Sequence, residues 1–170
     1  MQQCMTMKMS ECDSCRWTDI QVDGSPCPQC DGGTMVVEDT PSEVIIRFDG
    51  GARPNPGAAA VGCWIDGNGW SEEYSDTIGT ATNNQAEYMA LIQSLKLAQK
   101  NDVKHVEVEG DSQLVVKQIT DEWGTNDDKL KKLRDRAREL ASQFKSFSIQ
   151  HVPREQNEKA DELVDQALCE

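Results

Sequence analysis

Residues Ile45 to Ala60 read IIRFDGGARPNPGAAA. An apolar, strand-like run ends on a single acid, Asp49, and breaks at once into Gly, Pro and Asn. A buried ionised carboxylate is strongly unfavourable unless something pairs with it. Asp49 shares its strand face with Ile45 and Arg47, and the Gly50-Gly51 pair beside it has no side chains, so something can approach closely. Taken alone, a turn-forming Asp at a strand end accounts for the pattern equally well.

The chain around this stretch has 170 residues, enough for one ordinary domain plus a small appendage. It is 37% hydrophobic and 28% charged, and no apolar run approaches the ~18 residues a membrane span needs. The opening MQQCMTMKMS lacks an apolar segment followed by a small-residue cleavage site, so no secretory signal is read and a cytoplasmic protein is expected. A net charge of −13 argues against long-range attraction to nucleic acid, which any specific site must overcome. The acids are spread along the chain, seven against Lys8 and Arg16 in residues 1–40 and 23 against 15 cations in the rest. Such a spread suits a high-salt interior, although ten lysines weigh against it.

Four of the seven cysteines, Cys12, Cys15, Cys27 and Cys30, form two C-x2-C pairs separated by eleven residues. Two such thiolate pairs can converge tetrahedrally on one structural Zn2+, which supplies folding energy that so short a segment cannot find in a core. A zinc ribbon over residues 1–40 is expected, with RWTDIQVDGSP as a hairpin turning at Asp23-Gly24. A pair of disulfides is the alternative, disfavoured without a secretion signal. The polar EDTPS, Glu38 to Ser42, reads as a linker, and a second domain is placed at 41–170.

That domain reads as strands at 43–49, 58–66 and 69–75, a helix at 83–100, a strand at 105–109, helices at 112–120 and 128–144, a strand at 146–152 and a helix at 155–168. Three strands on short turns, followed by alternating helices and strands, indicate an α/β fold with a mixed sheet.

Three further acids stand in odd places. Glu87, in TATNNQAEYMALIQSLKLAQK, falls on the apolar face of Leu91, Leu95 and Ala98, or is simply an acid favoured by the helix dipole. Asp111, in HVEVEGDSQLVVKQI, sits at a strand-to-helix junction, as an N-cap or where open sheets build ligand sites. Asp161, in PREQNEKADELVDQAL, lies on the first turns of the last helix beside Ala160 and Val164. No one of them is decisive.

Together, FDGGARPNPG, TNNQAEYMAL, EGDSQLVVKQI and the N-x-x-A-D of Asn157 to Asp161 make residues 43–168 resemble type 1 ribonuclease H. The resemblance implies a mixed five-stranded sheet, three strands antiparallel and then parallel ones, flanked by helices and preceded here by the small zinc ribbon. It implies endonucleolytic hydrolysis of the RNA strand of RNA/DNA hybrids, leaving 5′-phosphate and 3′-hydroxyl ends. The residues agree with it, since four clustered carboxylates stay ionised only beside divalent cations, and all-oxygen ligands select two Mg2+ or Mn2+ ions. Asp49, Glu87, Asp111 and Asp161 are then the metal-binding catalytic acids. The implied substrate contacts are Gly50, Gly51, Asn55, Thr82, Asn83, Asn84, Gln113 and Asn157, whose amides suit a 2′-hydroxyl and whose helix N-terminus suits a phosphate. A monomer without membrane association is expected.

Two departures stand out. Many members carry a catalytic His before the last helix; here Arg154 occupies the shortened loop and is read as its substitute, with His151 a solvated strand residue. The basic clamp of longer members is replaced by GTNDD, Gly124 to Asp128. Ridges of Lys129, Lys132 and Arg136, or of Lys131, Arg134 and Arg138, could reach phosphates, or merely form a solvated face. The ribbon could contact nucleic acid through Arg16 and Trp17, dock a protein, or only stabilise the chain. Two other readings compete: a catalytically silent adaptor working through the ribbon, and a metal-dependent nuclease for other duplexes. All four acids being present argues against the first.

Overall fold

The computed structural model describes residues 42–169 and, before them, the strands β1 (Ser10–Cys12), β2 (Thr18–Asp19) and β3 (Met35–Val37). The chain divides into two compact units, Met1–Asp39 and Thr40–Glu170. In the first, β1 pairs antiparallel with both β2 and β3. Cys12 ends β1, whereas Cys15, Cys27 and Cys30, and with them the expected zinc site and the turn at Asp23-Gly24, lie outside the described residues.

The second unit follows the expected order of elements: β4 (Glu43–Arg53), β5 (Gly57–Gly67), β6 (Trp70–Ala81), α1 (Asn83–Lys100), β7 (His105–Gly110), α2 (Gln113–Ile119), α3 (Asp128–Ala141), β8 (Ser146–His151) and α4 (Glu158–Cys169). The sheet order is β6-β5-β4-β7-β8, antiparallel across β4, β5 and β6 and parallel across β4, β7 and β8. This is the mixed five-stranded sheet that the sequence implies. No described helix is long and apolar enough to cross a membrane.

Alternation along β4 divides the sheet into two faces. Val44, Ile46 and Phe48 are buried with Tyr88, Leu91 and Leu95 of α1, so this face and α1 make the main core. The opposite face carries Ile45, Arg47 and Asp49 and is covered in part by α4, whose Val164 and Ala167 pack on Ala60. Helix α1 starts on a capping box: Thr82 Oγ1 accepts from Gln85 N–H at 3.2 Å while Gln85 Oε1 accepts from Thr82 N–H at 3.1 Å.

Several element ends differ from expectation. β6 runs six residues past the expected Ser75, to Ala81, because Asp76 to Ala81 stay paired with β5. β4 does not stop at Asp49, because Gly50 to Arg53 continue the ladder opposite Val61 to Ala58. α3 ends at Ala141 rather than near Phe144, where Ser142 Oγ turns back onto Glu139 O. The last helix begins at Glu158 rather than at residue 155, after a separate 3-10 turn, Arg154–Gln156.

Candidate active site

β4 outruns its parallel partner. The β4–β7 pairing ends at Phe48 opposite Gly110, while β4 runs on to Arg53 beside β5 alone. Asp49 is therefore the first β4 residue with a free flank, and Asp111 the first residue past β7, at the end of a parallel pair where α/β sheets place their sites.

Two glycines bring the other acids in. A Cβ on Gly50 would stand 2.2 Å from the Ala86 carbonyl carbon and oxygen, so only glycine lets the start of α1 lie against β4 and carry Glu87 to the cleft. Gly62, opposite Asp49 on β5, does the same for α4, since a Cβ there would meet Ala160 O at 2.7 Å. Asp161, the residue after Ala160, is set down beside Asp49 by that contact.

Asp49, Glu87, Asp111 and Asp161 line one open cleft of about 250 Å³. Burial first, then the charges of Asp111, Asp161 and Glu87, push the Asp49 carboxyl up to about 8, against the opposing pull of the Gly50 N–H. Burial also pushes Glu87 up to about 7; Asp111 adds to this, and the Ser112 hydroxyl, which donates to Glu87 Oε2 at 2.6 Å, works against it. Asp161 is gripped by Arg154, whose Nη2 donates to Oδ1 and Oδ2 at 3.0 and 3.1 Å.

The donors fit a hard divalent cation. They are all carboxylate oxygens, and the raised Asp49 and Glu87 mark a site that repels its own charges until a cation balances them. Among the described residues no three Asp, Glu, His or Cys side chains make a ready cage for an ion.

The expected substrate contacts separate on inspection. Asn83 Oδ1 accepts from Ala52 N–H at 2.7 Å and Asn83 N–H donates to Asn55 Oδ1 at 3.1 Å, so these two residues staple the Arg53–Gly57 turn to the start of α1. Thr82 is the cap, Asn84 the second helical residue, and Gln113 the exposed first residue of α2. Gly51 lines the cleft, and a Cβ there would stand 3.4 Å from Val164 Cγ1.

Gly50 lines the cleft with its backbone, while the side where a Cβ would stand is filled by the α1 backbone. One assignment needs correction. Asn157 is fully buried: its Nδ2 donates to Phe48 O at 2.9 Å and to Asp111 Oδ1 at 3.1 Å, which makes it a strap holding Asp111 to β4 rather than a contact with RNA. His151 ends β8 and is exposed, as expected, yet its Nε2 lies 3.2 Å from the Asp111 carbonyl.

A family model described as reverse transcriptase-like matches residues 47–167. Ribonuclease HI of Halobacterium salinarum is 50% identical over 149 residues, covering 85% of this chain and 72% of that one. The match exceeds what residues 40–170 alone would supply, so it reaches into the first unit. The crystal structure of ribonuclease H1 from the same halophilic archaeon superposes with a TM-score of 0.73 at 52% identity, over 75% of this chain and 98% of that one. A ribonuclease H1 designated LC11, solved in complex with an RNA/DNA hybrid, gives 0.69 at 37% identity over 75% and 97%. This chain belongs to the type 1 ribonuclease H family.

Within that family pattern, sequence reasoning missed Ser112 and Trp123, and it left Arg53 open between a phosphate contact and a side chain that simply points to water. Ser112 caps α2 and orients Glu87; the Asp-Ser pair at a strand-to-helix junction was its available signal. Arg53 lines the cleft. Trp123 is 45% exposed on the turn after α2, with the Lys117 ammonium 5.5 Å from its ring centroid. The turn is pinned by Gln118 Nε2 on Gly124 O, and by Arg138 on Asp121 and on Gln118 O. Arg138 and the half-buried Arg134 are thus tied to protein, which leaves the exposed Lys129, Lys131 and Lys132 as the outward part of the two α3 ridges.

Proposed function

We propose that this chain hydrolyses the RNA strand of RNA/DNA hybrids as an endonuclease, leaving 5′-phosphate and 3′-hydroxyl ends. The observation that carries it is the cleft in which four carboxylates from β4, α1, the β7–α2 junction and α4 meet beside a stapled pair of amides. Asp49, Glu87, Asp111 and Asp161 would hold two Mg2+ or Mn2+ ions, which when bound supply an acidified attacking water and charge neutralisation at the leaving oxygen.

The remaining work falls to the chain itself. Ser112 and Asn157 fix Glu87 and Asp111, so the acids need little rearrangement as charge develops. Arg154 balances Asp161 and stands within the cleft, where it can turn to a scissile phosphate. Asn55, Asn83, Asn84 and Gln113 present groups able to donate to and accept from a 2′-hydroxyl, the feature that separates RNA from DNA. The exposed indole of Trp123, where longer members carry their clamp, offers an apolar surface to the sugar edge of the duplex.

The four cysteines of the first unit would hold one structural Zn2+, and the ribbon so formed would serve as a contact for nucleic acid or protein in a monomeric, cytoplasmic enzyme. The test of the main reading is cleavage of hybrids containing one, four or many ribonucleotides, with Mg2+ or Mn2+, by the wild type and by Asp111→Asn. Cleavage that survives the substitution refutes the site; cleavage of duplex DNA in preference to the hybrid refutes the substrate.

A further inference from the structure

We propose that Arg53 binds a phosphate of the RNA strand, and that Asp165 holds it in readiness until the strand arrives. The inference rests on the hybrid-cleaving reading above. Arg53 ends β4 and lines the same cleft as the four acids. The cleft has two arginines, and α4 supplies a carboxylate for each: Asp161 holds Arg154, and Asp165, one helical turn further on, holds Arg53.

The Arg53–Asp165 pair is built to exchange. Its side chains are 58% and 48% exposed, so the bond competes with water and is weak. A phosphodiester offers a guanidinium the same paired oxygens as a carboxylate. Arg53 can therefore pass from Asp165 to a phosphate without losing its hydrogen bonds.

The neighbours indicate which strand. The staple from Asn83 to Ala52 N–H and to Asn55 Oδ1 fixes the turn that follows Arg53 against the start of α1. Arg53 is thereby held between the carboxylates that act on RNA and the Asn55 amide assigned to its 2′-hydroxyl. The charge explains why a latch is useful: in a chain of net charge −13 the general field repels a polyanion, so attraction must come from local, pre-aimed cations.

The test is fluorescence anisotropy on the full chain carrying Asp111→Asn, in Mg2+, with a labelled hybrid and with versions bearing a single neutral methylphosphonate at each RNA or DNA linkage in turn. Adding Arg53→Ala is expected to weaken binding three- to tenfold and to lower the slope of log Kd against log salt by about one. One RNA linkage, when neutralised, should weaken the Arg53 protein similarly and the Arg53→Ala protein not at all, the signature of a direct pair. Asp165→Asn should tighten binding about twofold or more. An unchanged Kd and slope, additive losses at every linkage, or coupling to the DNA strand instead would each overturn the assignment. A wild type that cuts no hybrid defeats the parent reading; a wild type that cuts hybrid while Arg53→Ala binds normally defeats only this one.

Discussion

Replacing Asp49 with Asn should stabilise the protein in the absence of divalent ions, and more so as the pH rises. In the unfolded chain this carboxyl ionises near its ordinary value of 3.8, but in the fold burial and three neighbouring acids hold it neutral to about 8. Between those values the native state keeps a proton that the unfolded state has lost. The group's contribution to stability is therefore fully present below about pH 4 and is lost as the pH climbs through 8. A shift of about four units corresponds to a ceiling of roughly 5–6 kcal/mol at about 1.4 kcal/mol per unit. The cleft is open to water and its charges are screened there, so about 2–3 kcal/mol is the expected gain at pH 8.5. At roughly 2–4 °C per kcal/mol for a chain of this size, the melting temperature should rise by about 5–10 °C. The assay is thermal unfolding followed by circular dichroism at pH 5 and 8.5, without and with added Mg2+. The gap between variant and wild type should widen with pH and shrink when Mg2+ is added, because the ion binds only the folded wild-type site well. A gap that is equal at both pH values, or a wild type that gains stability relative to Asp49→Asn as the pH rises, would refute the reasoning.

Gly50→Ala should lose more than about 3 kcal/mol and at least about a hundredfold in cleavage, because the new methyl meets helix backbone at 2.2 Å and pushes Glu87 away; denaturant unfolding and kinetics measure both. Asn157→Ala should cost about 2–3 kcal/mol, read by denaturant midpoint, since Phe48 O and Asp111 Oδ1 each lose a partner in a buried place. Arg154→Ala should lower kcat by about tenfold or more while His151→Ala stays within about twofold, on the general scale of a positioned catalytic group; the reverse order would return the role to His151. If the spread acidity reflects adaptation to salt, hybrid cleavage should hold or rise in molar KCl; activity that peaks at low salt and falls steadily would dismiss that idea.

Much of this fold could be read in the chain because it rests on local patterning. The alternation of Val44, Ile46 and Phe48, the i, i+4 stripe of Leu91 and Leu95, and the Thr82 cap each act over a few residues. Element order and sheet type follow from such signals, and the four motifs place the acids in the right elements. Element ends followed less well, since whether Gly50 to Arg53 stay in the ladder depends on Ala58 to Val61 across the sheet.

What the sequence determined alone was therefore the identity of the four acids and the elements that carry them. Tertiary structure decided what each neighbour does. Asn157 and Asp111 are 46 residues apart, Ser112 and Glu87 25, and Arg53 and Asp165 112. No spacing rule spans such gaps, so a buried strap and an orienting hydroxyl look from sequence like ordinary cap and turn residues, and the carboxylate that holds Arg53 cannot be picked out at all. Gly50 is the sharpest case. Sequence showed that something must come close to Asp49; the packed chain showed that it is α1, because backbone can reach backbone only where no Cβ intervenes.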